Sequence, residues 1–373
     1  TNEIYLDNIG GSYDKLEQYD KAIEYFNKAL EANPKEPSFW NRLGNAYFHM
    51  QKFEESIKQY KKASELEPKD AIYLENIGVA YIRLNQYDKA IEHLKKALEV
   101  NPKEVSIWNR LGNVYFHLEK YEESIKQYEK AIELEPKDAI YLENIGAAYD
   151  GLKQYDKAIE YINKALEVNP KQSSIWNRLG NVYFHMEKYE ESIEQYEKAV
   201  ELEPKDAIYL ENIGAAYDGL SQYDKAIEYI NKALEVNPKE ASIWNRLGNI
   251  YFHMEKYEES INQYSKAIEL EPTNEFYLSN MGGSYDKLEQ YDKAIEYFNK
   301  ALEINPKRAE IWNSMGLTYF NQGKFNDAAS CFKKATEINS EDPIYWGNLG
   351  VSYDEMGKKK EAEKAYIVAS KFG

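Results

Sequence analysis

Residues 37–70 read PSFWNRLGNAYFHMQKFEESIKQYKKASELEPKD, and residues 71–104 read AIYLENIGVAYIRLNQYDKAIEHLKKALEVNPKE. Each carries a proline two residues before its last. Outward from this pair the proline returns every 34 residues, from Pro34 to Pro306, with Ser340 in the tenth place. A period of that length marks a repeat architecture and precedes any division into domains. Apolar residues fall three or four apart, as in Ile77, Tyr81, Leu84 and then Tyr87, Ala90, Ile91, Leu94, Ala97, Leu98, which is helical spacing and gives two helices per repeat. Counting from Glu3 yields eleven repeats: 3–36, 37–70, 71–104, 105–138, 139–172, 173–206, 207–240, 241–274, 275–308, 309–342 and 343–373. These are expected to form one continuous all-α array over 3–373.

Within a repeat, place 8 is always glycine (Gly10, Gly44 and on to Gly350), place 11 always tyrosine, place 27 always alanine, and place 20 alanine or serine. Small residues at fixed helical places predict close helix approach. Asp70 and Asp342 stand where an N-cap belongs, Pro37 and Pro343 suit a first helical turn, and the proline at place 32 ends the second helix.

The pattern resembles the tetratricopeptide repeat family. Repeat 37–70 carries the family's places as Trp40, Leu43, Gly44, Tyr47, Ser56, Tyr60, Ala63 and Pro68, with serine for alanine and tyrosine for phenylalanine at two of them. The resemblance spans essentially the whole chain. It implies a right-handed superhelical solenoid of antiparallel helix pairs, with a concave groove lined mainly by the first helix of each pair.

A second period of 68 overlies the first, so that even and odd repeats differ while alternate ones nearly coincide. A chemical group in the groove then recurs at every second repeat, which suits a long or repetitive partner.

Composition narrows the partner class. The chain of 373 residues has 47 Lys+Arg against 64 Asp+Glu, a net charge of −17, which disfavours nucleic acid and anionic membrane surfaces. The longest apolar run, Ala365 to Ala369, is far short of the ~20 residues that span a bilayer. One cysteine, Cys331, excludes an intrachain disulfide and fits a reducing, cytoplasmic setting. Cys331 has no repeated His or Asp companion, and no phosphate loop, HExxH or nucleophile elbow occurs, so no catalytic residue, metal or cofactor is expected and the chain is read as a non-enzyme. His49, His117, His185 and His253 recur too far apart to share one metal ion and are read as solvated helix ends. The six tryptophans are read as core.

The groove places of the family carry the candidate site. Asparagine recurs at place 6 of odd repeats (Asn76, Asn144, Asn212, Asn280) and at places 5 and 9 of even ones (Asn41, Asn45, Asn109, Asn113, Asn177, Asn181, Asn245, Asn249). An amide offers both donor and acceptor, so such a row can hold a peptide backbone without demanding a side-chain sequence; the alternative is local bonding between helices. The superhelix of O-linked N-acetylglucosamine transferase uses an asparagine ladder at place 6, which the odd-repeat asparagines match. Carboxylate-clamp members of the family offer a weaker match, because Asn41 and Ser106 stand where their two lysines belong. Arg110, Arg178 and Arg246 are expected to add polar or acidic contacts, and the neighbouring acidic residues favour a neutral to basic peptide.

At the last repeat the rule breaks. Place 26, lysine in the ten preceding repeats, becomes Val368, so Tyr366, Ile367, Val368 and Phe372 form an apolar stripe suited to self-association. The expected function is therefore a protein-interaction scaffold holding an extended polypeptide. The alternatives are a homo-oligomer built by head-to-tail stacking and the substrate-recruiting arm of a larger enzyme such as a glycosyltransferase.

Overall fold

A computed structural model describes residues 2–373. Its contacts divide the chain into two compact units, Thr1–Val182 and Tyr183–Gly373, with the boundary inside α11. The first unit holds α1 (Asn2–Lys15), α2 (Tyr19–Ala32), α3 (Pro37–His49), α4 (Phe53–Leu66), α5 (Ala71–Arg83), α6 (Tyr87–Val100), α7 (Val105–His117), α8 (Tyr121–Leu134), α9 (Ala139–Gly151), α10 (Tyr155–Val168) and the start of α11 (Ser173–His185). The second continues with α12 (Tyr189–Leu202), α13 (Ala207–Gly219), α14 (Tyr223–Val236), α15 (Ala241–His253), α16 (Tyr257–Leu270), α17 (Glu275–Lys287), α18 (Tyr291–Ile304), α19 (Ala309–Asn321), α20 (Phe325–Ile338), α21 (Pro343–Glu355) and α22 (Lys359–Phe372). Among the described residues there is no strand. From α1 to α10 and again from α12 to α22 each helix packs on the next, so each unit is a solenoid of helix pairs.

The sequence pattern explains each pair. Asp70, Asp138, Asp206 and Asp342 cap the first helices of their repeats by accepting the amides of Ile72, Ile140, Ile208 and Ile344 at 2.7–2.9 Å. The glycine at place 8 receives the side chain from place 24 of the partner helix. A Cβ on Gly112 would lie 2.5 Å from the Tyr128 ring, and one on Gly146 would lie 2.6 Å from Ile162. The two helices are joined by a turn whose place 15 has positive φ, as at Gln51 (60°), Glu119 (57°) and Gly323 (76°). Lys52 N–H closes this turn on Tyr47 O at 2.9 Å, the longer bond of a Schellman motif. The tryptophans differ from a pure core role. They are half-buried, and each Nε1 donates to the turn before its own repeat, Trp40 to Pro34 O and Trp244 to Pro238 O, both at 2.9 Å.

Candidate peptide-binding groove

Successive first helices are set one residue out of step, so side chains 35 residues apart meet. Asn76 Nδ2 donates to Asn41 Oδ1, Asn144 to Asn109 and Asn280 to Asn245, each at 2.9 Å. At the intervening steps the same register brings acid to base. Arg42 meets Asp7 at 2.7 Å, Arg110 meets Glu75 at 2.8 Å, Arg178 approaches Glu143 at 3.8 Å and Arg246 approaches Glu211 at 3.5 Å. Further along the helices His49 Nδ1 lies 3.1 Å from Asp14 and His253 Nδ1 lies 3.0 Å from Asp218. These two histidines are therefore held by the preceding repeat rather than merely solvated. Each arginine of the candidate set likewise faces a glutamate of its own chain, which tempers the expectation that they seek an acidic partner.

A second set of bonds orients the asparagines of place 9. Tyr60, Tyr128 and Tyr264 lie buried at place 24, and their hydroxyls donate to Asn45 (2.8 Å), Asn113 (2.7 Å) and Asn249 (2.7 Å). Burial pushes the Tyr60 and Tyr128 hydroxyls up to about 12, so they remain neutral donors at physiological pH. Asn144 Nδ2 and Asn280 Nδ2 also reach Asn113 Oδ1 (3.5 Å) and Asn249 Oδ1 (3.4 Å). The tie is readable in the sequence after the fact. The odd repeats before the last have Phe26, Leu94, Ile162, Ile230 or Phe298 at place 24 and no asparagine at place 9, while the last has Tyr366 there, with Val351 at place 9, and its hydroxyl donates to Asp354 instead.

The consequence is chemical. Asn41, Asn45, Asn109, Asn113, Asn245 and Asn249 use Oδ1 as an acceptor within the protein, Asn113 and Asn249 twice over, which orients their Nδ2 donors toward a ligand. Asn249 and Asn280 line a cavity of about 470 Å³ in the second unit, and Asn45 lines one of about 520 Å³ in the first. Asn177, Asn181 and Asn212 occupy the equivalent places.

Burial raises the carboxyls of Glu143 and Glu211 above the ordinary glutamate range, and Arg178 and Arg246 only partly oppose it. Because the folded value exceeds the unfolded one, ionisation near pH 7 weighs against the fold. That penalty is relieved as pH falls through the folded value. Glu143→Gln with Glu211→Gln is thus expected to be more stable than the native chain at about pH 7, an advantage that shrinks to nothing by about pH 4. Paired urea titrations at the two pH values measure this, and an advantage that grew on acidification would refute the sign.

The other candidates are placed as follows. Phe48, Phe116, Phe184 and Phe252 at place 12 pack edge-on against the first aromatic of their own second helix, for example Phe48 on Phe53 with centroids 5.2 Å apart. Cys331 is buried, and that burial together with Asp327 pushes its thiol up to about 12, which removes thiolate reactivity. On α22, Ile367 is 61% exposed, Phe372 is exposed, Val368 is half-buried and Tyr366 donates to Asp354 at 2.8 Å. Among the described residues no group of three or more His, Cys, Asp and Glu is arranged to hold a metal ion, and no helix is long and apolar enough to cross a membrane.

The sequence matches the family profile described as cilia and flagella-associated protein 70 C-terminal domain, a tetratricopeptide repeat domain, over residues 7–207 and 239–373, and the tetratricopeptide repeat profile over 207–240. The chain belongs to this tetratricopeptide repeat family. No curated protein shows a significant match to it. Among solved structures, yeast Tom70 superposes with a TM-score of 0.57 at 16% identity, over 100% of this chain and 92% of Tom70. MamA aligns at 28% identity over 44% of this chain and 97% of its own, with a TM-score of 0.42. The Tom70 likeness establishes a shared tetratricopeptide solenoid fold.

Proposed function

We propose that this tetratricopeptide protein is a non-catalytic interaction scaffold that holds an extended polypeptide along the face formed by the first helices of its repeats. The observation that carries this reading is the fixed polarity of the asparagine network. In even repeats the amide oxygens are turned inward to tyrosine hydroxyls and to the Nδ2 groups of Asn76, Asn144 and Asn280, so a donor-rich row returns every second repeat. An extended chain presents backbone carbonyls at regular intervals, and preorganised donors bind such acceptors without selecting side chains. The net charge of −17 favours neutral to basic segments and a reducing, cytoplasmic setting fits the single buried thiol.

The test uses a pool of nine-residue peptides, acetylated, amidated and randomised over uncharged residues. Asn109→Ala and Asn245→Ala, which remove Nδ2 donors whose oxygens are held within the protein, are each expected to weaken binding roughly fivefold, the equivalent of one hydrogen bond of about 1 kcal/mol, with helicity unchanged. Native affinity in both variants would remove the asparagines from the site.

A further inference from the structure

In the groove of the second unit one step departs from the ladder. Elsewhere the passage from an odd to an even repeat is spanned by an acid and an arginine, as in Glu211 with Arg246. Between repeats 275–308 and 309–342 both members are serines, Ser279 and Ser314. The asparagine of place 9 is replaced there by Leu317, which is 40% exposed. In the repeat before it, place 9 is Gly283, and a Cβ added to it would meet nothing within 4 Å. The result is the cavity of about 470 Å³ noted above, which Gly283, Asp286, Phe298, Ser314 and Leu317 help to line.

Asp286 lacks the base that its equivalents hold. Asp14 and Asp218 each bond a histidine of the next repeat, but the corresponding residue here is Asn321, and Asp286 Oδ1 is buried with no hydrogen-bond partner. Lys287, exposed at the rim, does not supply the missing donor. A buried carboxylate oxygen left without a donor is costly, and a cation is what relieves it best. The related cavity of the first unit shows the same chemistry already completed. Gly-Gly-Ser-Tyr-Asp-Lys occurs at both 10–15 and 282–287, yet in the first unit Arg42 enters the cavity, pairs with Asp7 and lies 3.2 Å from where a Gly11 Cβ would stand. Asp14 there also has His49.

We infer that the cavity between α15, α17 and α19 takes a basic side chain, lysine or arginine, of the bound polypeptide, its aliphatic stem along Leu317 and its charged end at Asp286. This rests on the groove reading and adds its one side-chain requirement. Side-chain amide donors hold the chain along the asparagine steps, and the vacated step fixes register by demanding a cation.

The experiment uses four pools of acetylated, amidated nine-residue peptides, randomised over uncharged residues and carrying lysine, arginine, norleucine or citrulline at the central position. The native protein is expected to bind the lysine and arginine pools about tenfold more tightly than the norleucine and citrulline pools, as for a charge-assisted hydrogen bond. Asp286→Asn should abolish that difference, lowering lysine and arginine binding to the level of norleucine. Asn321→His, which restores the imidazole, should abolish it as well. Asp224→Asn, which removes the same charge from the exposed start of α14, should retain it. Equal binding of all four pools overturns the basic-residue requirement and leaves the groove reading standing, while absence of binding to any pool overturns both. A preference that survives in Asp286→Asn and Asn321→His, or falls equally in Asp224→Asn, also overturns it, the latter by showing a diffuse charge effect.

Discussion

Replacing Tyr128 by alanine is expected to cost about 3–5 kcal/mol, the range for deleting a large aromatic from a packed interior. Tyr128 is 2% exposed and lies across Gly112, so alanine leaves a void that two rigid helices cannot close. It also strips the hydroxyl donor from Asn113 Oδ1. Urea unfolding followed by helical ellipticity measures the loss. In a repeat array the damage is local, so hydrogen exchange in α7–α9 should accelerate before that of helices several repeats away. Two further variants separate packing from bonding. Tyr128→Phe keeps the ring and should lose only about 1 kcal/mol. Tyr128→Ile with Asn113→Ala reproduces the pairing that Ile162 and Ala147 make over Gly146, and it should recover to within about 1.5 kcal/mol of native. A double variant no better than Tyr128→Ala would show that the two repeat types are not interchangeable packings.

Gly112→Ala and Gly283→Ala make the same chemical change and are expected to move stability in opposite directions. Both glycines are interior to helices, where alanine is intrinsically better by about 1 kcal/mol. At Gly283 nothing opposes that gain, because the added methyl enters the groove cavity, and stability should rise by about 0.5–1 kcal/mol. At Gly112 the methyl falls 2.5 Å from a tyrosine ring fixed by its own hydrogen bond, and the resulting strain outweighs propensity, for a net loss of about 1–2 kcal/mol. Thermal and urea unfolding of the two variants side by side checks the sign. Stabilisation by both would mean that α7 and α8 separate without cost.

The repeat, the helix pairs and the reason for each small residue were legible because they depend on separations inside one repeat, where helical spacing alone dictates which side chains share a face. Gly112 and Tyr128, sixteen residues apart across one turn, belong to this class. So do the capping aspartates. The turn itself was less legible. Its left-handed residue is glycine only at Gly323 and Gly357, and elsewhere residues such as Glu119 adopt that conformation because the Schellman bonds of the turn hold it.

What the sequence by itself determined is therefore the unit: two amphipathic helices, their caps and their contact, repeated with a period of 34. What only the tertiary structure decided is the register between units, in which side chains 35 residues apart meet. No local rule specifies that offset, since it follows from how one helix pair rolls against the next to bury its apolar face. Yet the offset sets the chemistry of the groove. It joins Asn144 to Asn109 and Arg110 to Glu75, turns the even-repeat amide oxygens such as that of Asn109 inward, and leaves Asp286 opposite Asn321 with no base to hold.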